Sequence, residues 1–403
     1  MVVLNIRSTQ IRCMSAFAHL GKHGKCINRL AITFVRNEMV NVFTRPSFDP
    51  GNNDYTRTLQ DKCVVVQVHF SALSFGTGTM SFQPAIASPS LGHQTVHPIT
   101  SRLEVAVSHG FKLRDHLGEV SDNTMIQAAI DINRICDRLK IKPCVLQPFW
   151  FYEGLLDPKE PAARISKLRL WMQLVKMLGI RIVQVPTNWM KKGTTGDTDT
   201  IVKDFLEIAS IGLEQDPPVS FAYEVVAWGT HIDTWQGTWE IVKRVNMPNF
   251  GLCLDTYHIA ARVWGDPTAP DCKQPGGDEA LRKSMEELAT TVDVNKIFYV
   301  QLSDAKLLDQ PLVQGHRFYD EEQPSRMSWS RNARLFPWEK GQSACLPLEP
   351  VVDAIFNSLG FEGLVTVEMF SKELFQDDPK VPDRFATRAK QSWCTAMQKI
   401  NNL

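Results

Sequence analysis

VSFAYEVV, residues Val219–Val226, is an apolar run with one carboxylate, Glu224, near its end. Three later runs share that design. They are Phe250–Leu254 (FGLCL) leading into Asp255, Ile297–Leu302 (IFYVQL) with Gln301, and Leu364–Phe370 (LVTVEMF) with Glu368. Short apolar runs of this length read as buried β-strands. An acid or amide in such a run is costly to bury unless it is paired or holds a metal. Four oxygen donors at or near the ends of four successive strands therefore point to one shared cation, hard and divalent, of the Mg or Mn kind.

Outward from these runs, strand-like and helix-like segments alternate from about Pro84 to the C-terminus. A short strand near Ala85–Ser88 precedes helices at Ile99–His109 and Asn123–Leu139. Strands at Pro143–Phe149 and Ile180–Pro186 flank a helix at Ala162–Leu178. A helix at Thr198–Glu214, capped by Asp197 or Asp199, leads to the Glu224 strand, and the helix Thr234–Val245 to the Asp255 strand. Helices at Asp278–Val292, Glu349–Leu359 and Asp383–Ile400 complete the pattern. Such alternation predicts a parallel sheet with helical crossovers, and here a TIM (β/α)8 barrel of the α/β class. Seven strands can be read, one fewer than a closed barrel needs. The gap falls between His109 and Asn123, where LRDHLGEVSD is too charged and too short for a buried parallel strand. The second strand is thus degenerate or missing.

Residues 1–83 differ from the rest. Arg7, Arg12, Lys22, Lys25, Arg29 and Arg36 all come before the first acidic residue, Glu38. The segment reads as an irregular, poorly ordered N-terminal extension to a barrel spanning 84–403. Its acid-poor, basic start also has the character of a mitochondrial presequence, an alternative to a cytoplasmic location. Within it Val64–Phe70 (VVVQVHF) can form a strand, without an evident partner.

Composition excludes several classes. The 403 residues are 43% apolar, enough for a large core, and no stretch is long enough to span a bilayer. Lys plus Arg and Asp plus Glu are 44 each, which gives no basic excess for nucleic acid. Nine scattered cysteines without a CxxC fit a reducing compartment rather than a disulfide framework or a structural zinc site.

His258 lies three residues after Asp255, in LDTYH. That spacing returns an imidazole over the strand end that carries the acid. A neutral imidazole beside a cation can take a proton from the carbon next to a polarised carbonyl; a second metal ligand or a structural loop histidine is the alternative. His231, in WGTHID, suits the positioning of a substrate hydroxyl. Arg331 and Arg334, in WSRNARLFPWE, can clamp the carboxylate of a small substrate, or sit in an ordinary solvated loop. Gln147 and Tyr152–Glu153, in LQPFWFYEGL, are further candidates at the mouth of the third strand.

The stretches LQPFWFYEGLLD, AYEVVAWGTHIDTW, LCLDTYHIA, FYVQLSDA, WSRNARLFPWE and VTVEMFS together resemble the fungal 3-dehydroshikimate dehydratases of the xylose isomerase-like TIM barrel superfamily. The resemblance runs from about Pro84 to the C-terminus. It implies a divalent metal (Mg, Mn or Co) held by Glu224, Asp255, Gln301 and Glu368, with His258 as general base. The implied reaction is conversion of 3-dehydroshikimate, a cyclic hydroxy-keto acid, to protocatechuate and water in quinate and shikimate catabolism. An arginine, Arg331 or Arg334, would hold the ring carboxylate. Members of that family continue after the GF motif with a second strand and an acidic, aromatic stretch, where this chain has KLRDHLGEV (Lys112–Val120). Two other readings stand beside this one. A sugar or sugar-acid isomerase or epimerase would use the same barrel and cation; a catalytically silent barrel would draw on the lost second strand. An endonuclease would need more histidines and a basic face.

Overall fold

The computed structural model of the chain describes residues 64–67, 82–108 and 122–403. The basic N-terminal stretch and the KLRDHLGEV segment lie outside these described residues.

The strands of the barrel are β1 (Val64–Gln67), β2 (Gln83–Ile86), β3 (Lys142–Leu146), β4 (Ile182–Pro186), β5 (Ser220–Glu224), β6 (Phe250–Asp255), β7 (Ile297–Leu302) and β10 (Leu364–Val367). They close in the order β1-β2-β10-β7-β6-β5-β4-β3. From β3 through β7, and from β7 through β10 to β2, neighbours are parallel, as the alternating sequence predicts. The remaining position is filled from an unexpected place. β1, part of the VVVQVHF run, pairs antiparallel with β2 through Gln67↔Ala85 and with β3 from Val64↔Leu146 to Gln67↔Lys142. The run that lacked an evident partner in the sequence thus has two. Seven strands are parallel, and the parallel second strand is replaced by one that arrives from before the barrel.

Helices pack outside because their apolar residues recur every three or four positions. In the helix Lys159–Leu178, Leu168, Trp171, Met172, Val175 and Leu178 are all buried. It ends at Gly179, whose φ of 65° lies in the left-handed region that favours glycine. The helix Thr198–Leu213 starts at Asp197, not Asp199: the Asp197 carboxylate accepts from Thr200 N. No helix among the described residues is long and apolar enough to cross a membrane.

Strand geometry decides what faces the interior, since side chains alternate with a period of two. Ala85, Val145, Ala222, Cys253, Tyr299 and Leu364 form a cluster of their own inside the barrel. Their immediate neighbours along the strands, such as Phe221, Tyr223, Leu252, Leu254, Val365 and Val367, belong to the larger core under the helices. Counting on by two from the inner cluster places Gln147, Glu224, Asp255, Gln301 and Glu368 on the interior face at one end of the barrel.

The connection after β7, read from sequence as a long polar loop, is mostly loop but carries three short elements. It forms β8 (Asp304–Ala305), a helix Ser325–Ala333 and β9 (Arg334–Leu335). β8 and β9 pair antiparallel, with Ala305 opposite Arg334. Arg334 N also donates to Phe370 O, so this residue is pinned over the barrel mouth by its backbone.

Candidate active site

Glu224, the last residue of β5, is buried, and Gln184 Nε2 donates to its Oε2. Asp255 ends β6 and caps the helix that follows, Thr256–Val263. Its Oδ1 accepts from Tyr257 N at 2.7 Å and from Ser303 Oγ at 2.9 Å. Its Oδ2 accepts from Arg334 Nη1 at 2.7 Å. Glu368 follows β10 directly; its Oε1 accepts from Gln147 Nε2 at 3.3 Å and its Oε2 from Arg334 Nη1 at 3.2 Å. Gln301 is fully buried on β7, with Oε1 2.9 Å from Cys253 Sγ and Nε2 without a hydrogen bond.

His258 sits in the first turn of the helix capped by Asp255, which explains the three-residue spacing. Its ring packs edge-on to Trp228 and Tyr257, at 4.9 and 5.4 Å between centroids. Burial, with the Arg334 guanidinium beside it, holds the imidazole down to about 3 against the pull of Asp255, so it is neutral. Asp255 shows the opposite balance. Burial alone would raise its carboxyl, but Arg334, His258 and the hydrogen bonds from Arg334 and Ser303 bring it below the usual range.

Glu224, Asp255 and His258 bring one potential ligand atom each within 4.8 Å of one another, a grouping that could hold a metal ion. The donor set fits a divalent cation. Three carboxyl groups and the Gln301 amide lie in a buried site where one guanidinium is the cationic side chain. Three carboxylates against one cation leave a deficit of two positive charges, the charge such an ion carries.

The two arginines expected as a pair part company. Arg334 is fully engaged: Nε donates to Ser330 Oγ at 2.8 Å, Nη1 reaches Asp255, Ser303 and Glu368, and Nη2 lies 2.8 Å from His258 Nε2. Its guanidinium also stacks over Tyr257, 4.2 Å from the ring centroid. Arg331 instead lines the cavity and donates to the neutral Gln323 Oε1 at 2.8 Å. Desolvation lowers it to about 10, with Asp320 acting in the opposite sense. The cavity in front of the site encloses about 320 Å³, with Trp150, Trp228, His258 and Arg331 among its walls.

Gln147 joins the site, held through Oε1 by the Tyr299 hydroxyl at 2.6 Å. His231 does not; it is exposed and its Nε2 lies 3.1 Å from Thr194 Oγ1. Tyr152 and Glu153 face away from the cavity, toward Asp204, Asn188 and Tyr223. Sequence reasoning missed Gln184, Cys253, Ser303 and Ser330. Gln184 and Cys253 carried a usable signal: each is a polar or polarisable residue in a buried run, on the alternation that points inward.

Comparison with known proteins agrees with this architecture. The family model described as xylose isomerase-like TIM barrel matches residues 103–396. A 3-dehydroshikimate dehydratase of Neurospora crassa is 40% identical over 336 residues, covering 78% of this chain and 94% of that protein. Among solved structures, a xylose isomerase-like TIM barrel/4-hydroxyphenylpyruvate dioxygenase fusion protein superposes with a TM-score of 0.58 at 22% identity, over 77% of this chain and 42% of its own. The IOLI protein, solved with a binding zinc atom, superposes with a TM-score of 0.57 at 18% identity, over 78% of this chain and 98% of its own. The chain belongs to the xylose isomerase-like TIM barrel family and shares most of its length with a fungal 3-dehydroshikimate dehydratase.

Proposed function

We propose that this chain is a divalent-metal-dependent hydro-lyase that converts 3-dehydroshikimate to protocatechuate and water. The observation that carries the reading is the ring of Glu224, Asp255, Gln301 and Glu368 on one interior face, with a buried imidazole beside it, in a chain 40% identical to a dehydratase of that name. These four residues would hold the cation, Mg or Mn. Bound there, it supplies Lewis-acid polarisation of the substrate's ketone oxygen.

The rest falls to the chain's own residues. His258 is the base that takes the α-proton. Two donors address this ring, Ala227 N at Nδ1 (3.0 Å) and Arg334 Nη2 at Nε2 (2.8 Å), and a neutral imidazole accepts at only one nitrogen. Loss of the β-hydroxyl and tautomerisation then yield the aromatic ring. Arg331 is the residue for the ring carboxylate, because its desolvated guanidinium has a neutral amide as partner. Arg334, committed to Asp255 and Glu368, positions the ligands instead.

The test is direct. Purified protein is mixed with 3-dehydroshikimate and Mg²⁺ or Mn²⁺, and protocatechuate absorbance is followed. Product is expected, and EDTA should stop it. Absence of product with either metal overturns the dehydratase reading, while product formation unaffected by EDTA overturns its metal dependence.

A further inference from the structure

Cys253 lies two residues before Asp255 on the same interior face of β6, with Glu224 opposite it on β5 and Tyr299 opposite it on β7. It is 1% exposed. Its Sγ is 2.9 Å from Gln301 Oε1 and 3.8 Å from Glu224 Oε1, so one thiol touches two of the four residues in the proposed ligand set. Gln301 itself is 0% exposed and its Nε2 makes no hydrogen bond. A buried amide NH2 without an acceptor is unfavourable, and it can never ligate a cation.

One rearrangement resolves both problems. Turning the Gln301 carboxamide over exchanges its two ends. Nε2–H then meets the sulfur of Cys253, and the thiol's single hydrogen is left for Glu224 Oε1. Oε1 of Gln301 then takes the position Nε2 had, at the end of the carboxamide away from Cys253. We propose that Cys253 is a positioning residue of the metal centre: its sulfur accepts from Gln301 and its S–H donates to Glu224, so that Gln301 presents oxygen rather than nitrogen to a divalent cation. Alanine has neither capacity, whereas serine has both.

This inference rests on the metal reading above, and the experiment separates the two. Protein stripped with EDTA is titrated with Mn²⁺ and binding is read by electron paramagnetic resonance or calorimetry, for the wild type, Cys253→Ala, Cys253→Ser, Gln301→Glu and the Cys253→Ala/Gln301→Glu double variant. Removing an outer-shell partner should weaken Mn²⁺ binding about tenfold in Cys253→Ala. Cys253→Ser should restore most of it. Gln301→Glu has two equivalent oxygens and no wrong end, so adding Cys253→Ala there removes only the thiol's bond to Glu224 and should cost about threefold or less, against about tenfold with Gln301 present. Cys253→Ala binding like the wild type overturns the inference alone. So does an equal loss in the glutamate background, which would assign Cys253 to packing. A wild type that binds no Mn²⁺ overturns the metal reading and this inference with it.

Discussion

The two walls of this barrel are built on different terms. On one side β4, β5, β6, β7 and β10 run parallel, and each carries an inward polar side chain: Gln184 in mid-strand, Gln301 one residue short of the strand end, Glu224 and Asp255 at it, and Glu368 just past it. On the other, β1 stands antiparallel between β2 and β3, and Gln147 is the wall's one contribution to the ligands' hydrogen bonds among the described residues. The difference separates closure from chemistry. Closure requires any strand that satisfies the backbone groups left along the edges of β2 and β3, and direction is secondary. Chemistry requires side chains at fixed depth, which the shared register of parallel strands supplies.

The sharpest way to break this division is to remove a ligand from the chemical wall. Glu224→Ala or Glu368→Ala should lower turnover by about 10³-fold or more and abolish tight Mn²⁺ binding, because a carboxylate facing the cation cannot be replaced from elsewhere. His258→Ala should lower turnover by about 10²–10⁴-fold while Mn²⁺ still binds, the signature of a proton-transfer residue. Equal loss of metal in both would make His258 a ligand instead. Next in size, Arg331→Ala should cost ~100-fold in kcat/KM through KM, with kcat nearly kept, as expected for a lost buried charge pair with substrate. A fall in kcat alone would move Arg331 into the catalytic step.

The closing wall is tested by chain length. A variant beginning at Asn53 keeps β1, and one beginning at Phe82 lacks it. The shorter chain should unfold at least ~5 °C lower by calorimetry, since the edges of β2 and β3 lose their pairing. Equal midpoints would mean that β1 contributes nothing to closure.

The same contrast governs what could be read without coordinates. Glu224, Asp255, Gln301 and Glu368 were legible because strands alternate with a period of two, and a polar residue in an apolar run violates that pattern at one point. Gln184 obeys the same logic in IRIVQVP and was open to the same inference. The partners of β1 were not legible. Val64–Gln67 pairs with residues as distant in sequence as Leu146, with no hairpin turn to announce the contact. Arg334 was visible as a cation, but its destination depends on β9 pairing with β8 across some thirty intervening residues. His231 misled because proximity in sequence to Glu224 does not make proximity in space once the chain leaves the strand.

The smallest expected effect lies behind the chemical wall. Glu153 accepts from Asn188 N at 2.6 Å and from the Tyr223 hydroxyl at 3.2 Å, directly beneath the residue before Glu224, while its Oε2 is buried without a partner. Burial raises its carboxyl from the ordinary 4.5 to about 8, more than the hydrogen bonds from its own backbone, Asn188 and Tyr223 lower it, and Asp204 adds to the rise. The folded state therefore holds a proton that the unfolded state releases. Its contribution to stability is complete below about pH 4.5, declines as pH rises, and is lost once pH passes about 8. Glu153→Gln imitates the protonated form at every pH. By urea unfolding it should match the wild type near pH 5 and exceed it by ~1–3 kcal/mol near pH 9. Asp304, buried and raised to about 7, titrates in the same direction in both proteins and cancels from the difference. A stability difference that is the same at both pH values would mean that Glu153 is not the group that titrates, and that the rear of β5 is indifferent to the charge behind it.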